Sequence, residues 1–171
     1  METKYKIAMS LVISIVAIFL IIVLINIKEN KDNPPTITSK NISLTSDEVE
    51  SLTNALNSES KSRATYWKVN DNLGESYPFE DIEKEKAQNI EELRQAFQRY
   101  ELTVPIDDWY GKVNKYSSTQ SACRASVFLE QDNIQLYDTL ATKTNKLDLL
   151  VLFDMLKTKA QEHLLKFKSC E

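Results

Sequence analysis

The segment from Ser121 to Cys170 constrains the fold of this chain most strongly, because its apolar residues recur at spacings of three and four. This spacing places them on one face of a helix and predicts two helical arms. The arms carry Cys123, Val127, Glu130, Ile134, Tyr137 and Ala141, and then Leu149, Leu152, Leu156, Ala160, His163 and Phe167. An ionisable group on a core-facing row is costly unless it is paired or bound to a cation. Glu130 and His163, the only histidine, are therefore candidate functional residues.

The same periodicity predicts two helices upstream of this hairpin. The first follows a capping-box spacing at Thr45 and Glu48 and covers about residues 46–71, and the second covers about residues 78–100. Residues 102–117 lack helical periodicity and are long enough to run the length of a helix of about 22 residues. Four helices with one long middle connection predict an all-α four-helix bundle, made of two helical hairpins joined by a crossover.

Every predicted helix places a polar residue on its inward row, at about the same height. These residues are Glu59 on the first helix, Lys86 and Asn89 on the second, Glu130 on the third and His163 on the fourth. Buried ionisable groups need partners. We therefore expect the five side chains to meet inside the bundle.

The N-terminal part of the chain holds a long uncharged run. Residues 7–27 contain no charge, proline or glycine, and about twenty apolar residues span a hydrocarbon core as a helix. A secretory signal peptide is the alternative, but this run exceeds the usual apolar core and no small-residue cleavage site follows it. We expect a short tail at residues 1–6, a single-pass signal anchor in the lipid bilayer, a polar linker at residues 28–44, and the bundle at residues 45–171.

The two cysteines favour an extracytoplasmic domain. Cys123 begins the first arm of the hairpin and Cys170 ends the second, so antiparallel arms bring them close together. A disulfide would close a loop of about 46 residues and stabilise the domain by about 4 kcal/mol in the loop-entropy model. Two unrelated free thiols are the alternative. Because disulfides form in oxidising compartments, we expect the domain on the extracytoplasmic side of the cell membrane.

Five segments, taken in order, resemble the ferritin-like superfamily, closest to bacterial rubrerythrin-like domains of unknown function. The segments are ALNSESKSRATYWKV (55–69), PFEDIEKEKAQNIEEL (78–93), TVPIDDWYGKV (103–113), FLEQDNIQLYDTL (128–140) and KAQEHLLKF (159–167). The resemblance covers about residues 44–170. It implies a bundle with its crossover between helices two and three, and a metal pair that is oxidised by oxygen or peroxide.

This resemblance also implies a ligand set for the metal pair. Glu59, Glu130 and His163 fall where such bundles have metal ligands. Lys86 and Asn89 replace the Glu-x-x-His pair of the second helix, and no glutamate stands three residues before His163. About half of the template ligands are therefore missing.

The replacement of ligands by a lysine suggests how the site lost its metal. We expect the ammonium of Lys86 to stand where a cation would sit and to neutralise Glu59 and Glu130 through a buried ion pair. Arg63, one turn from Glu59, is a second candidate for this role. The removal of one partner from such a pair typically costs about 3–5 kcal/mol.

Two function classes follow. In the first, the chain is a membrane-anchored, non-catalytic module without a cofactor, which binds an unidentified protein partner or a small ligand, or acts in the organisation of the envelope. In the second, it is an iron- or manganese-dependent oxidoreductase with a reduced ligand set at Glu59, Glu130 and His163. The losses on the helix that should supply two ligands favour the first class. A net charge of −4 without a basic, aromatic-rich patch argues against nucleic-acid binding.

Overall fold

The computed structural model describes residues 43–170, which belong to one compact unit. Their regular structure consists of four α-helices: α1 (Ser46–Leu73), α2 (Phe79–Arg99), α3 (Thr119–Ala141) and α4 (Leu147–Lys168). No strand occurs in this range. The helices α1 and α2 form one hairpin, α3 and α4 form the other, and residues 100–118 connect the two. The predicted all-α four-helix architecture is confirmed.

The predicted membrane helix at residues 7–27 and most of the predicted linker lie outside the described residues. Within residues 43–170, no helix combines the length and the apolarity that are needed to cross a membrane. The membrane anchor therefore stays a prediction from the sequence.

The start of α1 is closed by the predicted capping box. The backbone N–H of Thr45 donates to Oε2 of Glu48 (2.9 Å), and the backbone N–H of Glu48 donates to the Thr45 hydroxyl (3.2 Å). The second oxygen of Glu48 accepts a hydrogen bond from the hydroxyl of Thr144 (2.6 Å), which lies in the loop between α3 and α4. One carboxylate thus satisfies an otherwise unpaired helix-end donor and joins the two hairpins.

The crossover runs along the outer face of α1. The indole N–H of Trp109 donates to Oδ1 of Asn57 on α1 (2.7 Å). One residue later, the ring of Tyr110 packs edge-on against Trp67, with the ring centroids 5.2 Å apart. These contacts attach the crossover to α1, although Trp67 remains 37% exposed.

The core consists of two apolar clusters with polar residues between them along each helix. The first, the leucine-rich cluster, includes Leu52, Leu93, Phe97, Leu140, Leu149 and Phe153. The second, the disulfide-side cluster, includes Tyr66, Phe79, Ile82, Cys123, Val127 and Phe167. We call the buried residues between them, Glu59, Lys86, Asn89, Glu130, Asn133 and His163, the polar layer.

The predicted disulfide is present. Cys123 and Cys170 are bonded, with their Cα atoms 5.9 Å apart, so the alternative of two free thiols is wrong. The bond ties the first turns of α3 to the residues that follow α4 and closes the end of the bundle next to the disulfide-side cluster.

Candidate functional site

The polar layer brings together the five inward residues that the sequence predicts. Glu59, Lys86, Asn89, Glu130 and His163 each have an exposed fraction of 0%. The four helices supply them at positions between the two apolar clusters, so the layer is shielded from water above and below. Charges in such a place must be satisfied by the protein itself.

Lys86 lies between the two buried glutamates. Its Nζ is 2.9 Å from Oε1 of Glu59 on α1 and 3.1 Å from Oε2 of Glu130 on α3. Burial lowers the pKa of Lys86, but the negative charges of Glu130 and Glu59 outweigh burial and raise the pKa above its ordinary value. The lysine is therefore held as an ammonium that bridges the two hairpins.

Glu59 has further donors besides Lys86. Nδ2 of Asn89 donates to Oε2 of Glu59 (2.8 Å), and the hydroxyl of Tyr137 donates to Oε1. The ammonium of Lys159 donates to Oδ1 of Asn89 (2.8 Å), which fixes the amide with its nitrogen towards the carboxylate. Burial and the charge of Glu59 raise the pKa of Tyr137 well above its ordinary value, so the phenol stays a donor.

Glu130 is satisfied in the same way. The hydroxyl of Tyr66 donates to Oε1 (2.7 Å), and Nδ2 of Asn133 donates to Oε2 (3.1 Å). Burial acts to raise the pKa of Glu130, but the charge of Lys86 and the contacts with His163 and Tyr66 lower it to about 2. The carboxyl group is thus ionised at neutral pH despite its full burial.

His163 connects the polar layer to the protein surface. Its Nε2 lies 2.9 Å from Oε2 of Glu85, whose side chain is 30% exposed, and its Nδ1 lies 3.6 Å from Oε1 of Glu130. Nδ1 makes no hydrogen bond with any of the residues described here. The other oxygen of Glu85 accepts from Lys166 (2.9 Å). His163 therefore stands between a buried and a half-buried carboxylate.

Arg63 is not brought into the polar layer. Its Nε lies 3.8 Å from Oε1 of Glu83 on α2, and its side chain is 35% exposed. The structure places it at the edge of the α1–α2 contact, so the cation between the two buried glutamates is Lys86 and not Arg63.

Sequence reasoning missed Asn133 and its serine partners. Ser58 donates to Oδ1 of Asn133 (2.5 Å), and Nδ2 of Asn133 donates to the hydroxyl of Ser62 as well as to Glu130. The available signal was the spacing of Asn133, three residues after Glu130, which places both on one helix face. Glu85 was missed because it lies in a charged run, Glu83 to Lys86, that is typical of a solvated face.

The polar layer does not fit a pair of metal ions. The ammonium of Lys86 stands between Glu59 and Glu130, where a bridging cation would have to bind. Both carboxylates already accept hydrogen bonds on each oxygen. Within residues 43–170, no group of three or more His, Cys, Asp or Glu side chains has the geometry of a metal site.

Comparison with known proteins shows the fold alone. No family model matches the chain, and no curated protein matches it significantly. The crystal structure of a conserved hypothetical protein, rv2844, from Mycobacterium tuberculosis superposes with a TM-score of 0.65. The two sequences are 19% identical, and the match covers 75% of this chain and 100% of the mycobacterial one. The described helices thus form a fold that also occurs in that protein.

Proposed function

We propose that this chain is a membrane-anchored, ferritin-like helical module that acts through binding and not through catalysis, with a lysine ammonium in place of a metal ion. One observation carries the proposal. Lys86 lies 2.9 and 3.1 Å from the carboxylates of Glu59 and Glu130, and all three side chains are fully buried. The ammonium of Lys86 thereby takes the place that a metal ion would have between the two carboxylates.

The hydrogen bonds around the ion pair support this proposal. Each oxygen of Glu59 and Glu130 accepts from at least one donor of the protein. A catalytic acid or base must contact its substrate within hydrogen-bond distance, directly or through one water. Carboxylates that accept hydrogen bonds on both oxygens and are buried between two apolar clusters offer no such contact, so we assign the function of this domain to its surface.

Other features support the anchored, extracytoplasmic part of the proposal. The uncharged run at residues 7–27 has the length and composition of a membrane span. The bond between Cys123 and Cys170 is of the kind that persists in oxidising compartments. The order of the five segments that resemble ferritin-like domains agrees with a bundle whose long connection follows its second helix.

Metal analysis of the full-length chain tests the proposal. The protein is purified without an affinity tag, incubated anaerobically with iron or, separately, with manganese, desalted, and analysed by plasma mass spectrometry. We expect no stoichiometric metal in a protein whose circular dichroism spectrum is helical. The control is the variant Lys86→Ala, in which the ammonium is absent and the two carboxylates remain.

A stoichiometric metal in the unmodified chain, lost in both Glu130→Ala and His163→Ala, would overturn the proposal. It would favour the iron- or manganese-dependent oxidoreductase and justify assays with oxygen and peroxide. Removal of either side chain takes away a residue that such a site would need, while Arg63→Ala, outside the polar layer, would leave the metal in place.

A further inference from the structure

A cavity of about 250 Å³ lies between α1, the crossover and α3. Three aromatic side chains line it: Trp109 and Tyr116 of the crossover, and Phe128 of α3. Its charged lining residues include two of opposite sign on different helices, Lys61 of α1 and Asp132 of α3. We call this feature the crossover cavity. It is smaller than the 300–1,000 Å³ of pockets for drug-sized ligands, and it suits a molecule with a single ring.

The aromatic side chains that line the crossover cavity are placed so that they can pack against the ring of a ligand. Phe128 is 62% exposed, although a side chain of this size normally contributes most when it is buried. Trp109 is oriented by the hydrogen bond from its indole N–H to Asn57. Burial raises the pKa of Tyr116, so this residue presents a neutral phenol. A bound ring would cover Phe128 and contact the fixed indole.

The charges of the crossover cavity are not paired with each other. The ammonium of Lys61 lies 5.6 Å from the ring centroid of Trp109, and neither Lys61 nor Asp132 has an ion-pair partner within the part of the chain that the structure describes. Lys112, which also lines the cavity, differs because its ammonium is bound to Asp108. One cation of α1 and one anion of α3 thus remain available to a ligand.

The geometry points to a free aromatic amino acid as the ligand of the crossover cavity. Its ring would lie against Phe128 and Trp109, its carboxylate would face Lys61, and its ammonium would face Asp132. A molecule with only one of the two charges would leave either Lys61 or Asp132 without an oppositely charged group to contact. This inference names a ligand class for the proposed binding module and so rests on that proposal. The two are tested separately, because metal analysis tests the polar layer and ligand titration tests the crossover cavity.

Titration with L-phenylalanine tests the inference on the full-length chain in lipid nanodiscs. The indole N–H of Trp109 serves as the NMR reporter; it is one of 2 tryptophans and is assigned with the variant Trp109→Phe. Three analogues each lack one recognition element: 3-phenylpropionate lacks the ammonium, phenethylamine lacks the carboxylate, and L-leucine lacks the ring. We expect saturable shifts with phenylalanine and about fivefold weaker binding of each charge-deficient analogue. L-leucine should bind about tenfold more weakly.

Single variants connect each charge of the ligand to its side chain. Lys61→Gln should weaken the binding of phenylalanine but not of phenethylamine, and Asp132→Asn should weaken phenylalanine but not 3-phenylpropionate. Phe128→Ala should weaken all three ligands that carry a ring. The matched control is Lys68→Gln, because Lys68 also lies over a tryptophan ring on α1 but is bound to Asp71.

Two outcomes would overturn the inference. The first is the absence of a saturable change in the NMR shift of the Trp109 indole N–H at phenylalanine concentrations up to about 10 mM. This concentration is well above the dissociation constant of about 1 mM that is typical of weak ligands. The second is the absence of a charge contribution, measured as equal affinity for phenylalanine and its charge-deficient analogues or as equal effects of Lys61→Gln and Lys68→Gln. Circular dichroism spectra that match the unmodified chain show that each variant is folded.

Discussion

The polar layer and the leucine-rich cluster are both fully buried by the same four helices, but different forces hold them together. The leucine-rich cluster is stabilised by apolar burial, which has no direction and tolerates side chains of similar volume. In the polar layer, the interaction of Lys86 with Glu59 and Glu130 depends on distances near 3 Å. We expect directional contacts of this kind to favour one placement of the two hairpins, whereas the apolar cluster supplies stability with less dependence on register.

The test of this contrast with the largest expected effect removes the positive charge of Lys86 from the polar layer. Lys86→Leu leaves the carboxylates of Glu59 and Glu130 buried without their cation, and we expect it to lower the free energy of unfolding by about 3–5 kcal/mol. The matched change in the leucine-rich cluster is Leu93→Met, which should cost less than about 1.5 kcal/mol. Both values come from urea unfolding of the full-length chain. A stability of Lys86→Leu that equals the unmodified chain within error would show that the ion pair does not hold the layer.

The second test removes the disulfide from the opposite end of the bundle. Replacement of Cys123 and Cys170 by Ala should lower the free energy of unfolding by about 4 kcal/mol, because the unfolded chain regains the freedom of a loop of 47 residues. Thermal unfolding followed by circular dichroism measures the change, and the unmodified chain under reducing conditions is the control. An unchanged midpoint temperature of unfolding in both samples would mean that the disulfide-side cluster stabilises this end of the bundle without the disulfide.

Acid provides the third test, since it acts on the polar layer and spares the apolar clusters. The pKa of Glu130 in the folded protein is about 2, below the ordinary value of 4.5, so folding releases a proton from this group when the pH lies between these two values. Its contribution to stability is complete above pH 4.5 and is lost as the pH falls towards 2; its size is of the order of 3 kcal/mol.

The control for the acid test is Glu130→Gln. Glu48, Glu85 and Asp148 also have lowered pKa values and contribute in the same direction, so the unmodified chain alone does not isolate Glu130. The variant should lose less stability than the unmodified chain between pH 4.5 and pH 2. If the free energies of unfolding of the two proteins fell in parallel with pH, the assignment of this loss to Glu130 would be contradicted.

The smallest expected effect comes from Arg63. Its side chain is 35% exposed and lies 3.8 Å from Glu83, so Arg63→Gln should change the free energy of unfolding by less than about 0.5 kcal/mol. The same urea experiment as for Lys86→Leu measures it. A loss as large as that of Lys86→Leu would assign part of the neutralising charge of the polar layer to Arg63.

The helices and all members of the polar layer except Asn133 could be predicted because both depend on spacing along the chain. Residues three or four apart share a helix face, so an ionisable residue in an apolar row must point inward, as Glu130 and His163 do. The same argument predicted the pairing of Cys123 with Cys170, since the ends of antiparallel arms are neighbours.

Contacts that depend on the distance between helices could not be predicted in this way. Arg63 follows Glu59 by four residues and so lies near the same helix face, but its side chain contacts Glu83 on α2, with Nε 3.8 Å from Oε1. Glu85 belongs to a charged run on α2, but the approach of α4 brings His163 to within 2.9 Å of it. No pattern within one helix indicates either contact.

The bridging position of Lys86 has a consequence for how this sequence can diverge. Lys86 belongs to the first hairpin and contacts both Glu59 and Glu130, so its loss alone would leave two buried carboxylates without their cation. Substitutions in a layer of this kind depend on one another. Over evolutionary time, we expect descendants of this chain to keep the whole set or to replace several members together, while the surrounding leucines drift one at a time.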